Sequence, residues 1–298
     1  MNKIIKQKND KYIEIYETKL KNKTNFLSKM KIKNVQNKEG YSFNNNEEYL
    51  IKNDYLYLVY NSISLQNKFE TNSSYTAVFI TNTLESEFHQ FRQSKNGTII
   101  KNRKFVKGNT INLGYRILTN FFKSVYRDFK IDNKYEKIEY VRVIEPHTNF
   151  TAHLHAIVFI KTKYIDLFKS YYERKVSLNK NMGMYKFEII NDINRSASYI
   201  LKYASKNFDS KNEKFKIYYG WKLANKIRAY TFTRQFISRD MFNKLSFHLS
   251  KDFVLDHNVT IFGTQNFYEL IHKFTQFQQN IINSETGEIK KKKKKSDE

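Results

Sequence analysis

The sequence predicts an α+β fold, with a central antiparallel sheet flanked by helices. Two segments rich in β-branched residues, EYVRVIE (139–145) and HLHAIVFI (153–160), are separated by seven residues that include the only proline. This arrangement is typical of an antiparallel strand pair closed by a defined loop. Other segments carry apolar residues three and four positions apart, the spacing of amphipathic helices. The strands and helices do not alternate regularly, as they would in a parallel α/β fold.

The composition favours a globular protein with an acidic partner. The 298 residues include 53 Lys and Arg against 29 Asp and Glu, for a net charge of +24 at pH 7. The hydrophobic share of 40% is enough to build a core. The absence of cysteine excludes disulfides, cysteine-ligated zinc and thiol nucleophiles. No segment has the length and apolarity of a spanning helix or a signal peptide, so we expect a cytoplasmic protein with no membrane partner.

The chain is predicted to have four parts. Residues 1–73 are read as a basic N-terminal arm with an appended segment, because residues 1–34 alone hold ten lysines. The apolar run at 49–65 fits either a helix or a strand. Residues 74–240 form the catalytic domain. They are followed by a C-terminal helical segment (241–288) and a disordered lysine-rich tail (289–298).

Within the central domain, each element follows from its local pattern. The segment YTAVFITNT, which begins at Tyr75, is a buried strand. The apolar residues Ile117, Leu118, Phe121, Phe122 and Val125 form one face of a helix. Beyond the strand pair, the sequence predicts a helix near 164–173, a strand near 185–190, a helix at 193–207 and a strand near 228–236.

The first chemical feature is the pair His153 and His155. Residues two apart on a strand point to the same face, so the two imidazoles can bind one metal ion. Glu145, at the end of the preceding strand, can meet them across the loop. Two nitrogen ligands and one carboxylate leave positions open for water or substrate, which is typical of a catalytic metal site. The alternative is two histidines on an exposed strand face.

The second feature is a pair of tyrosines on one helix face, Tyr199 and Tyr203, with Lys202 and Lys206 beside them. A tyrosine hydroxyl has a pKa near 10, so a nucleophilic tyrosine needs neighbouring cations and a polarised electrophile. The alternative is core packing, since the chain has 22 tyrosines.

Together these features resemble a known family. VRVIEPHTNFTAHLHAIVF (141–159) and YILKYASKN (199–207) are similar to HUH single-strand endonucleases, and most closely to the replication gene A proteins of tailed phages. AVFITNTLES (77–86) and GWKLANKIRAYTF (220–232) resemble further family motifs. The family pattern is matched at Arg142, Glu145, Pro146, His147, Thr151, His153, His155, Tyr199, Lys202, Tyr203, Lys206 and Asn207. The chain departs from the pattern in Asn149-Phe150 for Asp-Gly, Ala152 for proline, and Asn82 within the first-strand motif.

The resemblance implies a ferredoxin-like HUH nickase and ligase that initiates rolling-circle replication through a 5′-phosphotyrosine intermediate. By this resemblance, Glu145, His153 and His155 would hold Mg or Mn. Tyr199 and Tyr203 would be the nucleophiles, and Lys202 would neutralise charge on the phosphate or the tyrosinate. The implied partner is single-stranded DNA at a replication origin, in the cytoplasm of a host cell. Residues assigned to DNA binding are Lys206, Arg142 and His147.

The resemblance also implies a partner helicase supplied by the host, because the chain lacks the G-x-x-x-x-G-K-[ST] motif of a P-loop motor. The flexible lysines of the arm and of Lys290 to Lys295 are expected to add non-specific DNA affinity. Three other readings are considered: a relaxase or transposase of the same class, a non-enzymatic basic nucleic-acid-binding protein, and an iron oxygenase with a two-histidine, one-carboxylate site.

Overall fold

The computed structural model divides into two compact units, residues 1–236 and 237–298. It describes residues 3–33, 40–42, 47–70, 72–133, 138–205, 213–233, 237–240 and 242–243. Lys206, nearly all of the C-terminal segment and the lysine-rich tail lie outside the described residues, so the predictions made for them stay predictions. No described helix is both long enough and apolar enough to cross a membrane.

The described part of the first unit contains six α-helices and nine strands. The helices are α1 (Lys3–Ser28), α2 (Glu47–Glu70), α3 (Ile111–Asp132), α4 (Ile165–Ser177), α5 (Ser196–Ser205) and α6 (Glu213–Ala224). The strands are β1 (Lys31–Lys33), β2 (Gly40–Ser42), β3 (Tyr75–Leu84), β4 (Phe91–Gln93), β5 (Ile99–Lys101), β6 (Glu139–Pro146), β7 (Ala152–Lys161), β8 (Met182–Ile190) and β9 (Tyr230–Phe232).

Five of the strands form the central sheet, in the order β8-β3-β7-β6-β9, and every neighbouring pair is antiparallel. With helices packed on both faces, this architecture confirms the predicted α+β fold. The predicted strand pair is the central hairpin β6-β7, whose register places Glu145 directly opposite His153. The remaining strands form two small antiparallel ribbons, β1-β2 and β4-β5.

The two faces of the sheet have different roles. Even-numbered residues of β7, such as Leu154 and Val158, join the larger core with α3 and α4. Odd-numbered residues, such as Ile157 and Phe159, face α2 and α5 and form a second core. Because His153 and His155 are odd-numbered, strand alternation places them on the face that carries α5.

The N-terminal helix packs against α6. Tyr12 and Tyr16 of α1 are buried, and the Tyr16 ring meets Phe215 of α6 edge to face at 5.7 Å. The run at 49–65, which fitted a helix or a strand, lies in helix α2. The domain limits at 73 and 240 stay predictions, but residues 3–28 themselves are a 26-residue helix that packs on the rest of its unit.

Gly220 permits the close approach of α1 and α6. A Cβ at this position would lie 1.8 Å from the backbone oxygen of Tyr12, which cannot rotate away. We expect Gly220→Ala to lower the free energy of unfolding by about 2 kcal/mol or more. Gly114→Ala is the matched control in α3, because its Cβ would meet only the mobile end of the Leu84 side chain, at 2.5 Å. Equal effects of the two substitutions on chemical denaturation would contradict this packing.

Candidate active site

The site begins at the hairpin, where strand pairing brings three predicted ligands together. Nε2 of His155 lies 2.9 Å from Oε1 of Glu145, within hydrogen-bonding distance. The His153 and His155 rings stack, with centroids 4.6 Å apart. The structure therefore places Glu145, His153 and His155 side by side, as the spacing in the sequence predicts.

Thr81 of β3 faces the other nitrogen of His155. Its hydroxyl lies 3.1 Å from Nδ1, and it pairs with His155 in the sheet. With Glu145 as a carboxylate acceptor, the proton of His155 lies on Nε2 and Thr81 donates to Nδ1. A hydroxyl can equally accept a hydrogen bond from Nδ1–H, which would leave the Nε2 lone pair available to a metal ion. Thr81 is thus suited to either state of His155.

His153 has a buried nitrogen without a partner. Its Nε2 atom makes no hydrogen bond in the part of the chain that the structure describes. Burial, reinforced by the neighbouring imidazoles of His155, His147 and His89, lowers the pKa of His153 to about 3. A neutral imidazole with an unsatisfied buried nitrogen is the form that binds metal ions.

The lowered pKa of His153 predicts a pH dependence of stability. Between about pH 6.5, its ordinary value, and about 3, the unfolded chain binds a proton that the folded chain excludes. Stability should therefore fall as the pH falls through this window, by at most about 1.4 kcal/mol per pH unit for one proton.

Urea denaturation in EDTA at pH 7, 6 and 5 tests this dependence. His153→Gln should reduce the slope without abolishing it, because burial also lowers the pKa of His147. An unchanged slope in His153→Gln would show that His153 is not the group that resists protonation.

Helix α5 lies over the histidines. The Tyr203 ring stacks on the His155 ring with 3.8 Å between centroids. Phe79 of β3 contacts both tyrosines, with centroids 5.7 Å from Tyr199 and 5.6 Å from Tyr203. Lys202, between the tyrosines in sequence, is exposed. The structure thus brings the predicted nucleophiles to the predicted ligands.

The start of α5 is fixed by a side chain of another helix. Oε1 of Gln66, in α2, accepts a hydrogen bond from the backbone N–H of Ala197 at 2.9 Å. This bond satisfies one of the free N–H groups at the helix N-terminus. Buried Ile200 and Ala204 then hold α5 against the sheet.

Lys186 is a cation at this site that the sequence analysis missed. It lies on β8 opposite Thr81, and its Nζ pairs with Oε2 of Glu188 at 2.6 Å. Glu188 raises the pKa of Lys186 most, and Tyr203 and Tyr199 raise it further. The alternation of β8 is readable from the sequence, but its register against β3 is not.

Two residues assigned to DNA binding lie apart from each other. Arg142 is even-numbered and faces the opposite side of the sheet, where it is 4% exposed and donates to the carbonyl of Thr119 at 3.3 Å. The structure does not bring Arg142 to the histidines, and its contact with DNA stays a prediction. His147 is exposed and stacks on His153, with centroids 5.6 Å apart.

The loop joining β6 and β7 is held by His89, which the sequence analysis also missed. Oδ1 of Asn149 accepts from the N–H of Thr151, so its Nδ2 donates to Nδ1 of His89 at 2.7 Å. Nε2–H of His89 then donates to the carbonyl of Leu84 at 2.9 Å. Both ring nitrogens of His89 are therefore engaged in fixing the loop.

Phe150 has an unusual backbone for its residue type. It adopts φ +68°, the left-handed region that favours glycine, and it stands where the resembled family has glycine. Its ring is 5% exposed and packs on Tyr12 at 5.5 Å. The side chain therefore joins helix α1 to the hairpin loop, which offsets the backbone strain.

The donor set fits a divalent cation in its chemistry. Two imidazoles and a carboxylate are borderline and hard ligands of the kind that Mn and Mg accept beside phosphate oxygens. The unpartnered Nε2 of His153 supports this reading. In the conformation described, Glu145 is bonded to His155, and no group of three or more His, Asp or Glu among the described residues is spaced to hold a metal ion.

Comparison with known proteins gives one family match. Residues 77–208 match the family described as replication-associated protein ORF2. The matched segment runs from β3 through the hairpin to the end of α5, and so contains the whole candidate site. Neither the curated proteins nor the solved structures include a match to this chain. Residues 77–208 are thus identified as similar to the replication-associated protein ORF2 family, which is consistent with a phage or plasmid replication initiator that interacts with DNA.

Proposed function

We propose that the chain is a metal-dependent endonuclease that nicks single-stranded DNA at a replication origin and so initiates rolling-circle replication. The observation that carries the proposal is the stacking of Tyr203 on His155, with 3.8 Å between ring centroids. It joins a tyrosine helix to a two-histidine strand. Neither a core tyrosine nor a surface histidine pair accounts for that junction.

The proposed reaction is a transesterification. The phenol oxygen of Tyr199 or Tyr203 attacks the scissile phosphorus, and the bond from phosphorus to the 3′ oxygen breaks. The phenol proton ends on the 3′ oxygen, which leaves as a free 3′-OH, and the 5′ phosphate stays on the tyrosine. No water is consumed, so the reverse reaction can rejoin DNA.

The cations around the tyrosines fit this chemistry. Lys202 lies between the two tyrosines in sequence, and Lys186 approaches them from β8. Positive charge favours the tyrosinate and offsets the charge that develops on the phosphate. We assign this role first to Lys202 and a supporting one to Lys186.

Glu145, His153 and His155 would hold the divalent cation, which we propose to be Mg or Mn. Such an ion supplies Lewis-acid polarisation of a phosphate oxygen. Thr81 orients the His155 ring from the other side. This group would be the electrophilic half of the site, and α5 the nucleophilic half.

A binding protein without catalysis is the second candidate, and the excess of 24 positive charges favours it. It gives no role to the unpartnered buried Nε2 of His153. Relaxases and transposases share the same chemistry and differ in substrate. A host helicase would be needed to extend the nick, because the chain lacks a P-loop motor motif.

The test is covalent capture of DNA. Single-stranded DNA from the protein's own gene, labelled at either the 5′ or the 3′ end, is incubated with the protein and Mn²⁺ and run on a denaturing gel. A 5′-phosphotyrosine retains only the 3′ label on the protein and releases a shortened 5′-labelled strand. Retention of the 5′ label, or no adduct with any segment of the gene, would overturn the proposal.

A further inference from the structure

A second charged surface lies outside the site. Residues 91–108 contain six cations and no acidic residue. All six are exposed, and within the described part of the chain none forms an ion pair. We name residues 91–108 the basic ribbon, because strands β4 and β5 form its stem. Its cations are Arg92, Lys95, Lys101, Arg103, Lys104 and Lys107.

The basic ribbon is held in one shape by its own hydrogen bonds. At its tip, Ser94 N–H donates to the carbonyl of Thr98 at 2.8 Å, and Gly97 adopts φ +76°. At its base, Nδ2 of buried Asn102 donates to the carbonyls of Ser86 and His89, at 2.7 and 2.8 Å. A ribbon shaped in advance loses less entropy when it binds.

The base of the ribbon is attached to the loop of the candidate site. Nδ2 of Asn149 donates to the carbonyl of Phe91 at 2.9 Å. The His89 ring, which precedes the ribbon, lies 6.1 Å from the ring of His147. The cations are thus carried by an element joined to the same loop that leads into His153.

The composition of the ribbon indicates its partner. Surfaces for single-stranded DNA stack bases on exposed aromatic rings. The basic ribbon has two aromatic residues, Phe91, which is buried, and Phe105, which is half-buried. A two-stranded β-ribbon fits the major groove of a duplex, and lysines and arginines pair with its phosphates.

We propose that the basic ribbon binds duplex DNA that flanks the nick site. This inference rests on the proposed function, which places single-stranded DNA at the histidines. The ribbon would then hold the adjoining double-stranded arm and orient the strand that enters the site.

Binding without cleavage tests the ribbon. The triple variant Arg92→Gln, Lys95→Gln, Lys101→Gln is compared with Lys123→Gln, Lys169→Gln, Lys180→Gln, which removes three exposed cations from α3, α4 and the turn after it. Anisotropy is measured with a labelled 20-base-pair duplex and with a labelled single strand of 20 nucleotides. Both proteins should melt at the wild-type temperature.

The ribbon variant should bind the duplex about tenfold more weakly, with a log-log salt dependence smaller by about 3. Its affinity for the single strand should change less than about twofold. The control variant should keep near wild-type affinity for both probes. Equal losses on duplex and single strand, or a control as weak as the ribbon variant, would overturn the proposal.

The two proposals fail separately. Anisotropy needs no chemistry, so duplex binding by the ribbon is measured even if the wild-type protein nicks nothing. Conversely, the ribbon variant should still form the covalent adduct with single-stranded DNA. Loss of the adduct in that variant with unchanged duplex binding would place the ribbon in the catalytic site, contrary to this inference.

Discussion

Replacing both Tyr199 and Tyr203 with phenylalanine is expected to abolish the covalent DNA adduct. Phenylalanine keeps the ring that stacks on His155 and removes only the hydroxyl, so the fold should persist. Loss of an enzyme's nucleophile costs on the order of 10⁶-fold in rate. The adduct should therefore fall below detection on denaturing gels.

Each single variant should retain some nicking of a short single strand. The two tyrosines lie one turn apart on α5, about 6 Å between Cβ atoms, so either can reach a shared phosphate. Rejoining of two successive strands needs both hydroxyls and should be lost in each single variant. We expect Tyr199 to initiate, because it occupies the position of the nucleophile in the resembled single-tyrosine proteins.

Tyr185→Phe is the matched control for these variants. Tyr185 lies on β8 but faces the opposite side of the sheet, where its ring lies 5.8 Å from that of Tyr172. It should nick and rejoin as wild type does. A double variant of α5 that still forms an adduct would show that the nucleophile lies elsewhere.

Removal of the proposed metal site is the second large effect. His153→Ala or His155→Ala should abolish cleavage, and EDTA should do the same to the wild-type protein until Mn²⁺ is added in excess. Loss of one imidazole leaves too few ligands to hold the ion. Glu145→Ala should have a smaller effect, because His147 is two residues away and its ring stacks on His153.

Metal binding can be measured without DNA. Calorimetric titration with Mn²⁺ should give one site in wild type and none in His153→Ala. His89→Gln serves as a control outside the ligand set, because both nitrogens of His89 are hydrogen-bonded within the protein. Full cleavage by His153→Ala or His155→Ala would remove the metal site from the mechanism.

The parts of the site that depend on local periodicity could be predicted from the sequence. Alternation on one strand predicts that His153 and His155 share a face, and the short loop predicts that Glu145 meets them. The same alternation places Arg142 on the other face, which its match to the family pattern obscured. The two tyrosines share a helix face by the same kind of argument.

The parts that depend on distant contacts could not be predicted. Lys186 reaches the site only through the register of β8 on β3. Phe150 adopts a backbone suited to glycine because Tyr12, far away in sequence, packs on its ring. Helix α1 looked like a basic arm because its lysines dominate the sequence, whereas its packing depends on Gly220.

Peptide mapping of the covalent adduct tests the proposed mechanism most directly. Wild-type protein is reacted with single-stranded DNA in Mn²⁺ and digested with nuclease and protease, and the nucleotide-bearing peptide is identified by mass spectrometry. The mechanism predicts a nucleotide on Tyr199 or Tyr203, within the peptide of helix α5. A nucleotide on any other tyrosine, or on a serine or histidine, would contradict it even if the protein nicks DNA.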